Sequence, residues 1–122
     1  MNKMDGYKQQ ASLIRALAHP TRLRILEILA QQESCVCHLT AILKQRQPYV
    51  SQQLMVLRAQ GLVLDRKDGV MVYYRLADRG IAKLISLTRD LLRASGAEAD
   101  FPTAPQAPLR GCSCPLCARW SS

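Results

Sequence analysis

The stretch Gln45-Arg46-Gln47-Pro48-Tyr49-Val50-Ser51-Gln52-Gln53-Leu54-Met55-Val56-Leu57, closed by Gly61, decides the fold. Gln45, Arg46 and Gln47 make a polar turn, and Pro48 opens a helix where its missing N–H is not needed. Val50, Leu54 and Leu57 then fall on one face. Gly61 ends the helix, because glycine admits the left-handed conformation of a helix cap. Just upstream, Ser34 is a good N-cap for a short helix carrying Leu39, Ile42 and Leu43. Just downstream, Leu62-Val63-Leu64 and Val70-Met71-Val72-Tyr73-Tyr74 flank Asp68-Gly69, a strong hairpin signal. Two short helices joined by a three-residue turn and followed by a β-hairpin predict a winged helix-turn-helix.

The flanks are helical. Tyr7, Ala11, Ile14 and Ala18 form one stripe, which His19-Pro20-Thr21 interrupts. Pro20 starts a second helix through Leu23, Leu26 and Leu29, and a last one, from about Asp78 to Ala94, carries Ile81, Leu84, Ile85, Thr88, Leu91 and Leu92. Residues 1–95 thus predict a mainly α domain with a β-hairpin wing. Residues 96–122 read as a Pro-rich linker and a Cys-rich tail. Pro102, Pro105 and Pro108 recur every third residue, which favours an extended strand. From Gly96 to Gly111 such a strand reaches on the order of 50 Å at ~3.1 Å per residue.

Composition agrees with one small domain. The chain has 122 residues, 48% of them hydrophobic and 21% charged, enough apolar material to bury a core. Its net charge of +8 points to a polyanionic partner. Five cysteines are many for this length, but an odd number suits a disulfide scaffold poorly. The first ten residues contain no apolar signal segment and no run approaches ~18 apolar residues, so a cytoplasmic protein with reduced thiols is expected, with no membrane partner. No phosphate loop, catalytic triad or activated base is visible. Neither an enzyme nor a small organic substrate is expected.

Basic residues gather on the predicted reader. Lys44, Arg46, Arg58, Arg66 and Lys67 face one acid, Asp65, between residues 44 and 67. With Gln47, and with Tyr49, Ser51, Gln52 and Gln53 exposed near the start of the recognition helix, they are the candidate contacts to double-stranded DNA. Gln pairs bidentately with adenine, while Ser and Tyr more often hold phosphates.

Several segments together resemble the ArsR/SmtB family of metalloregulatory repressors over roughly residues 8–94. They are Ala18-His19-Pro20-Thr21-Arg22-Leu23-Arg24-Ile25-Leu26, Pro48-Tyr49-Val50-Ser51-Gln52-Gln53-Leu54, Leu57-Arg58, Gly61-Leu62-Val63 and Tyr73-Tyr74-Arg75-Leu76. Glu33-Ser34-Cys35-Val36-Cys37-His38-Leu39 and Leu64-Asp65-Arg66-Lys67 look most like the arsenic-responsive members. The resemblance implies a homodimer that sits on operator DNA until a toxic ion releases it. Two departures matter. The family often has His where this chain has Gln53, and the prototype arsenic sensor adds a third Cys where this chain has Thr40.

On a regular helix, Cys35 and Cys37 point about 200° apart, so they share an ion only if the first turn after Ser34 is irregular. That turn belongs to the helix bracing the recognition helix, which would couple ion binding to DNA release. Soft thiolates select thiophilic ions. Cys112, Cys114 and Cys117, delivered by the tail, are the candidates to complete a trithiolate for As(III), and also for Sb(III). The alternatives are Cd(II) or Pb(II) on the same thiolates, a thiol-redox or persulfide switch, and, in a different class, a metal-handling protein that does not bind DNA. His19 reads as a helix-start residue and His38 as a surface residue. Tyr7 and the last-helix leucines read as dimer and core packing.

Overall fold

The computed structural model describes residues 5–105 together with Cys112, Cys114 and Cys117. The rest of the linker and tail, including Pro108, Gly111 and Trp120, lies outside the described residues. The elements are α1 (Gly6–Leu17), α2 (Pro20–Gln31), β1 (Ser34–Cys35), α3 (Val36–Leu43), α4 (Gln47–Ala59), β2 (Val63–Asp68), β3 (Met71–Leu76) and α5 (Arg79–Ala94). The winged helix-turn-helix forms as the sequence predicts: α3 and α4 joined by Lys44-Gln45-Arg46, with β2 and β3 as the wing.

Local signals place most boundaries. His19 caps α2, its Nδ1 accepting the Thr21 N–H at 3.2 Å, which fits a helix-start residue. Asp78 caps α5 through Oδ1 and the Gly80 N–H at 2.6 Å. After α4, the Gly61 N–H donates to Arg58 O and the Leu62 N–H to Leu57 O, both at 2.9 Å. That paired pattern is the Schellman closure, and it uses the left-handed Gly61 (φ 71°). In the wing, Asp68 pairs with Met71, so the two-residue loop is Gly69-Val70. Gly69, at φ 62°, takes the first loop position, where both primed turns need a positive φ.

The sheet corrects one expectation. Ser34, predicted as the cap of the third helix, lies instead with Cys35 in β1, which pairs antiparallel with β3 to give the order β1-β3-β2. A two-stranded wing would leave one edge of β3 open, and β1 satisfies the backbone groups on that edge. The cap of α3 is therefore Cys35, whose Sγ accepts the His38 N–H at 3.3 Å.

The core lies between α2, α3, α4 and the base of the wing. Ile25, Leu26, Leu39, Val50, Leu54, Leu57 and Val63 are sealed from solvent. Arg22 ties three helices together: it donates to Ala16 O at the end of α1 (3.0 Å) and to Gln53 Oε1 in α4 (3.1 Å). An Arg89–Glu27 ion pair joins α5 to α2. Beyond α5, Phe101 packs beneath the Arg89 guanidinium, 4.2 Å from its ring centroid, and Ala104 touches the core. The start of the predicted linker therefore lies along the domain. In the single chain Tyr7 is 83% exposed, and Ile14, Leu84, Leu87, Leu91 and Leu92 are exposed as well.

Candidate metal centre and nucleic-acid interface

The shift of the helix start by one residue decides the thiol geometry. Cys35 is extended (φ −80°, ψ 165°) and only Cys37 is helical, so the divergence of two helical positions does not apply. The Sγ atoms of Cys35 and Cys37 lie 2.7 Å apart, closer than two sulfurs in ordinary contact yet well beyond the ~2.05 Å of a disulfide. The prediction that the two sulfurs face opposite sides is thus corrected. Cys112 Sγ is 3.4 Å from Cys37 Sγ. Cys114 and Cys117 are buried in the same cluster, which Ala41, Met71 and Tyr73 border. All five cysteines predicted as ligands therefore come together.

Among the described residues, two donor sets have their ligand atoms within 4.8 Å of one another: Cys35, Cys37, Cys112 and Cys114, and His38, Cys112, Cys114 and Cys117. His38 corrects the surface reading. It is 2% exposed, with Nδ1 3.5 Å from Cys117 Sγ and 4.0 Å from Cys112 Sγ. Its spacing to the Cys35 cap carried the signal, because residues three apart at a helix start share a face.

Burial dominates the electrostatics. It pushes the Cys35 thiol up to about 12, with the neighbouring Cys37 adding to the shift. Burial likewise raises Cys112. At Cys114 burial opposes the thiolate, but hydrogen bonds from the Cys117 N–H and the surrounding thiols outweigh it and lower the pKa. Burial lowers the pKa of His38, which keeps its imidazole neutral and able to ligate.

The predicted DNA contacts divide by accessibility. Lys44, Arg46, Gln47, Gln52, Arg58, Arg66 and Lys67 are exposed on the turn, α4 and the wing. Ser51 is half-buried, and the half-buried Tyr49 shares a 3.1 Å hydrogen bond with the Thr21 hydroxyl. Gln53, predicted exposed, is only 7% exposed, because its amide is engaged by Arg22. Arg58 pairs with Asp65 at 3.1 Å. Arg66 grips Glu33 through Nε and Nη2 and stacks on Tyr73, and its hydrogen bond holds the Glu33 carboxyl below the usual carboxylate range.

This fold and this exposed basic reader define a winged helix-turn-helix transcriptional regulator rather than an enzyme. The chain belongs to the ArsR family of bacterial regulatory proteins, whose profile matches residues 19–64. The transcriptional repressor SmtB homolog of Synechocystis sp. is 45% identical over 92 residues, covering 75% of this chain and 70% of that protein. The arsenical resistance operon repressor of Escherichia coli is 48% identical over 66 residues, 53% of this chain and 56% of that protein. A homodimeric winged helix-turn-helix DNA-binding domain from Mycobacterium bovis superposes with a TM-score of 0.69 at 28% identity, covering 84% of this chain and 100% of that one. Among the described residues, no helix is long and apolar enough to cross a membrane.

Proposed function

We propose that the protein is a homodimeric repressor of the bacterial cytoplasm that binds double-stranded operator DNA and leaves it when As(III) joins Cys35, Cys37 and Cys112. Sb(III), which shares the lone pair and the preference for sulfur, acts in the same way. The observation that carries this reading is the run of sulfurs, with Cys37 Sγ 2.7 Å from Cys35 Sγ and 3.4 Å from Cys112 Sγ. A lone-pair ion seats on three sulfurs in a pyramid. Arsenous acid with three thiols gives three As–S bonds and three waters, without redox change.

The lever is mechanical. Cys35 belongs to the strand paired with the wing, and Cys37 to the helix packed on α4. Drawing three sulfurs onto one centre moves both supports of the DNA reader. The coupling is reciprocal, so operator DNA weakens arsenite binding by the same factor. In this division of labour residues 1–95 bind DNA and dimerise, and residues 96–122 bring the tail thiols. A groove of about 550 Å³ between α1 and α5, lined by Ile14, Leu17, Leu84 and Leu91, supports the dimer. The exposed Lys44, Arg46, Gln47, Gln52 and Lys67 support contact with DNA, and the name of the Escherichia coli relative supports arsenic. A second reading, a Cd(II) or Pb(II) sensor, is favoured by the four-sulfur set that adds Cys114.

The test is release of the reduced protein from operator DNA by arsenite, cadmium, lead, zinc or peroxide. Release by arsenite at low stoichiometry supports the reading. Release by cadmium or lead alone moves it to the four-thiolate sensor. Equal arsenite affinity of free and operator-bound protein would falsify the coupling.

A further inference from the structure

The arsenite reading uses Cys35, Cys37 and one tail thiol, and it leaves the buried His38 beside Cys117 unexplained. The tail alone offers three thiols, one ligand short of a structural zinc knuckle, and His38 is the fourth donor. We infer that His38 Nδ1, Cys112, Cys114 and Cys117 form a closed Zn(II) site that fastens the tail to the first turn of α3.

The donor spacing suits tetrahedral zinc. Tetrahedral zinc, with Zn–S of 2.3 Å and Zn–N near 2.0–2.1 Å, requires S···N edges of about 3.6 Å and S···S edges of about 3.8 Å. The Cys117–His38 and Cys112–His38 separations, 3.5 and 4.0 Å, bracket the S···N edge. All four donors are buried, which suits a closed structural site with no open position for water.

The outer shell fits too. His38 Nε2 lies 3.4 Å from the Gln32 side-chain amide at the end of α2. With the amide turned so that Oε1 faces the ring, Nε2–H donates to it and Nδ1 is left with its lone pair towards the sulfurs. Zinc binding there releases the protons of the three thiols to solvent and changes no oxidation state. The site shares Cys112 with the arsenite trithiolate, so the two ions compete for that thiolate and arsenite must take it from zinc, but zinc needs neither Cys35 nor Cys37.

The experiment uses the full chain, reduced and stripped of metal, titrated with Co(II) as a spectroscopic probe and then with Zn(II). Expected are one tetrahedral, thiolate-bound Co(II) per chain, displaced by one Zn(II), and the same spectrum from the Cys35→Ser/Cys37→Ser double variant. Cys117→Ser and His38→Gln should each lose more than the roughly 100-fold in affinity that removal of an outer-shell partner costs. Cys117→Ser alters only the tail, so it reports even if His38→Gln does not fold. Metal lost in the double variant but retained in Cys117→Ser overturns the proposal in favour of the four-sulfur set. Absence of stoichiometric binding overturns it as well. Because Cys35 and Cys37 are dispensable here, failure of the zinc site and failure of the arsenite reading are told apart.

Discussion

Cys35 stands directly opposite Tyr73 in the pairing of β1 with β3. Tyr73 in turn faces Arg66 across β2, and the Arg66 guanidinium rests 4.6 Å from its ring centroid. The thiol pair is therefore one cross-strand step from the wing, and it also heads the helix that supports the reader. An ion held at Cys35 would therefore act on both halves of the proposed DNA-binding surface at once.

Replacing Cys35 or Cys37 with Ser should leave operator affinity within about threefold of the parent and abolish release by arsenite. Fluorescence anisotropy on labelled operator measures both quantities. Normal release from either variant removes the site from the mechanism. Truncation after Gly96 should weaken the response; unchanged sensitivity would mean that two thiolates suffice, as for a methylated trivalent arsenical.

The pH dependence of binding separates the candidate ions. In the metal-free chain burial raises the Cys35 and Cys112 thiols, which favours their protonated form at neutral pH. Exchange of three thiols with neutral arsenous acid takes up and releases no net proton, so arsenite affinity should be nearly flat between about pH 6 and 8. Cadmium must displace thiol protons, so its affinity should climb with pH, on the order of tenfold per unit for each proton lost. Isothermal titration in buffers of different ionisation enthalpy reads the proton count directly. A steep arsenite profile would contradict the exchange.

Gln53 and Gln52 should behave differently although they are neighbours. Gln53→Ala strips Arg22 of an acceptor within the fold and should cost about 1–3 kcal/mol of stability. Thermal melts at fixed protein concentration would show this as a lower Tm. Gln52→Ala, on the exposed face, should leave the Tm alone and weaken operator binding instead. The reverse pattern would put Gln53, not Gln52, at the bases.

Salt dependence counts the phosphate contacts. Arg58 and Arg66 are engaged by Asp65 and Glu33, whereas Lys44, Arg46 and Lys67 have no ion pair among the described residues. Three contacts per protomer of a dimer predict a slope of log affinity on log salt near −5, while all five basic residues would give about −9. A flat response would remove DNA binding altogether.

The fold was legible because its punctuation is local. Pro20, Pro48, Gly61 and the Asp68-Gly69 pair each act within a few residues. The thiol centre was only half legible. Composition and spacing could show two thiols near a helix start and three on a tail, but β1 exists only because β3 offers it an edge, a non-local fact that no helical period records. That strand moves the cap from Ser34 to Cys35 and turns two diverging sulfurs into neighbours. Gln53 was misjudged for a related reason: its burial depends on Arg22, thirty-one positions away in the chain.

The reach of Arg22 from Ala16 to Gln53 has a consequence for the operator. It fixes the pitch of α4 against the end of α1, and with the dimer proposed on the α1–α5 groove each protomer would hold its reader at a set angle to the twofold axis. The dimer then works as a ruler with little play. One base pair inserted between half-sites rotates the second by about 34°, and a stiff ruler cannot follow. Loosening Arg22 should widen the range of spacings tolerated while lowering affinity for the right one.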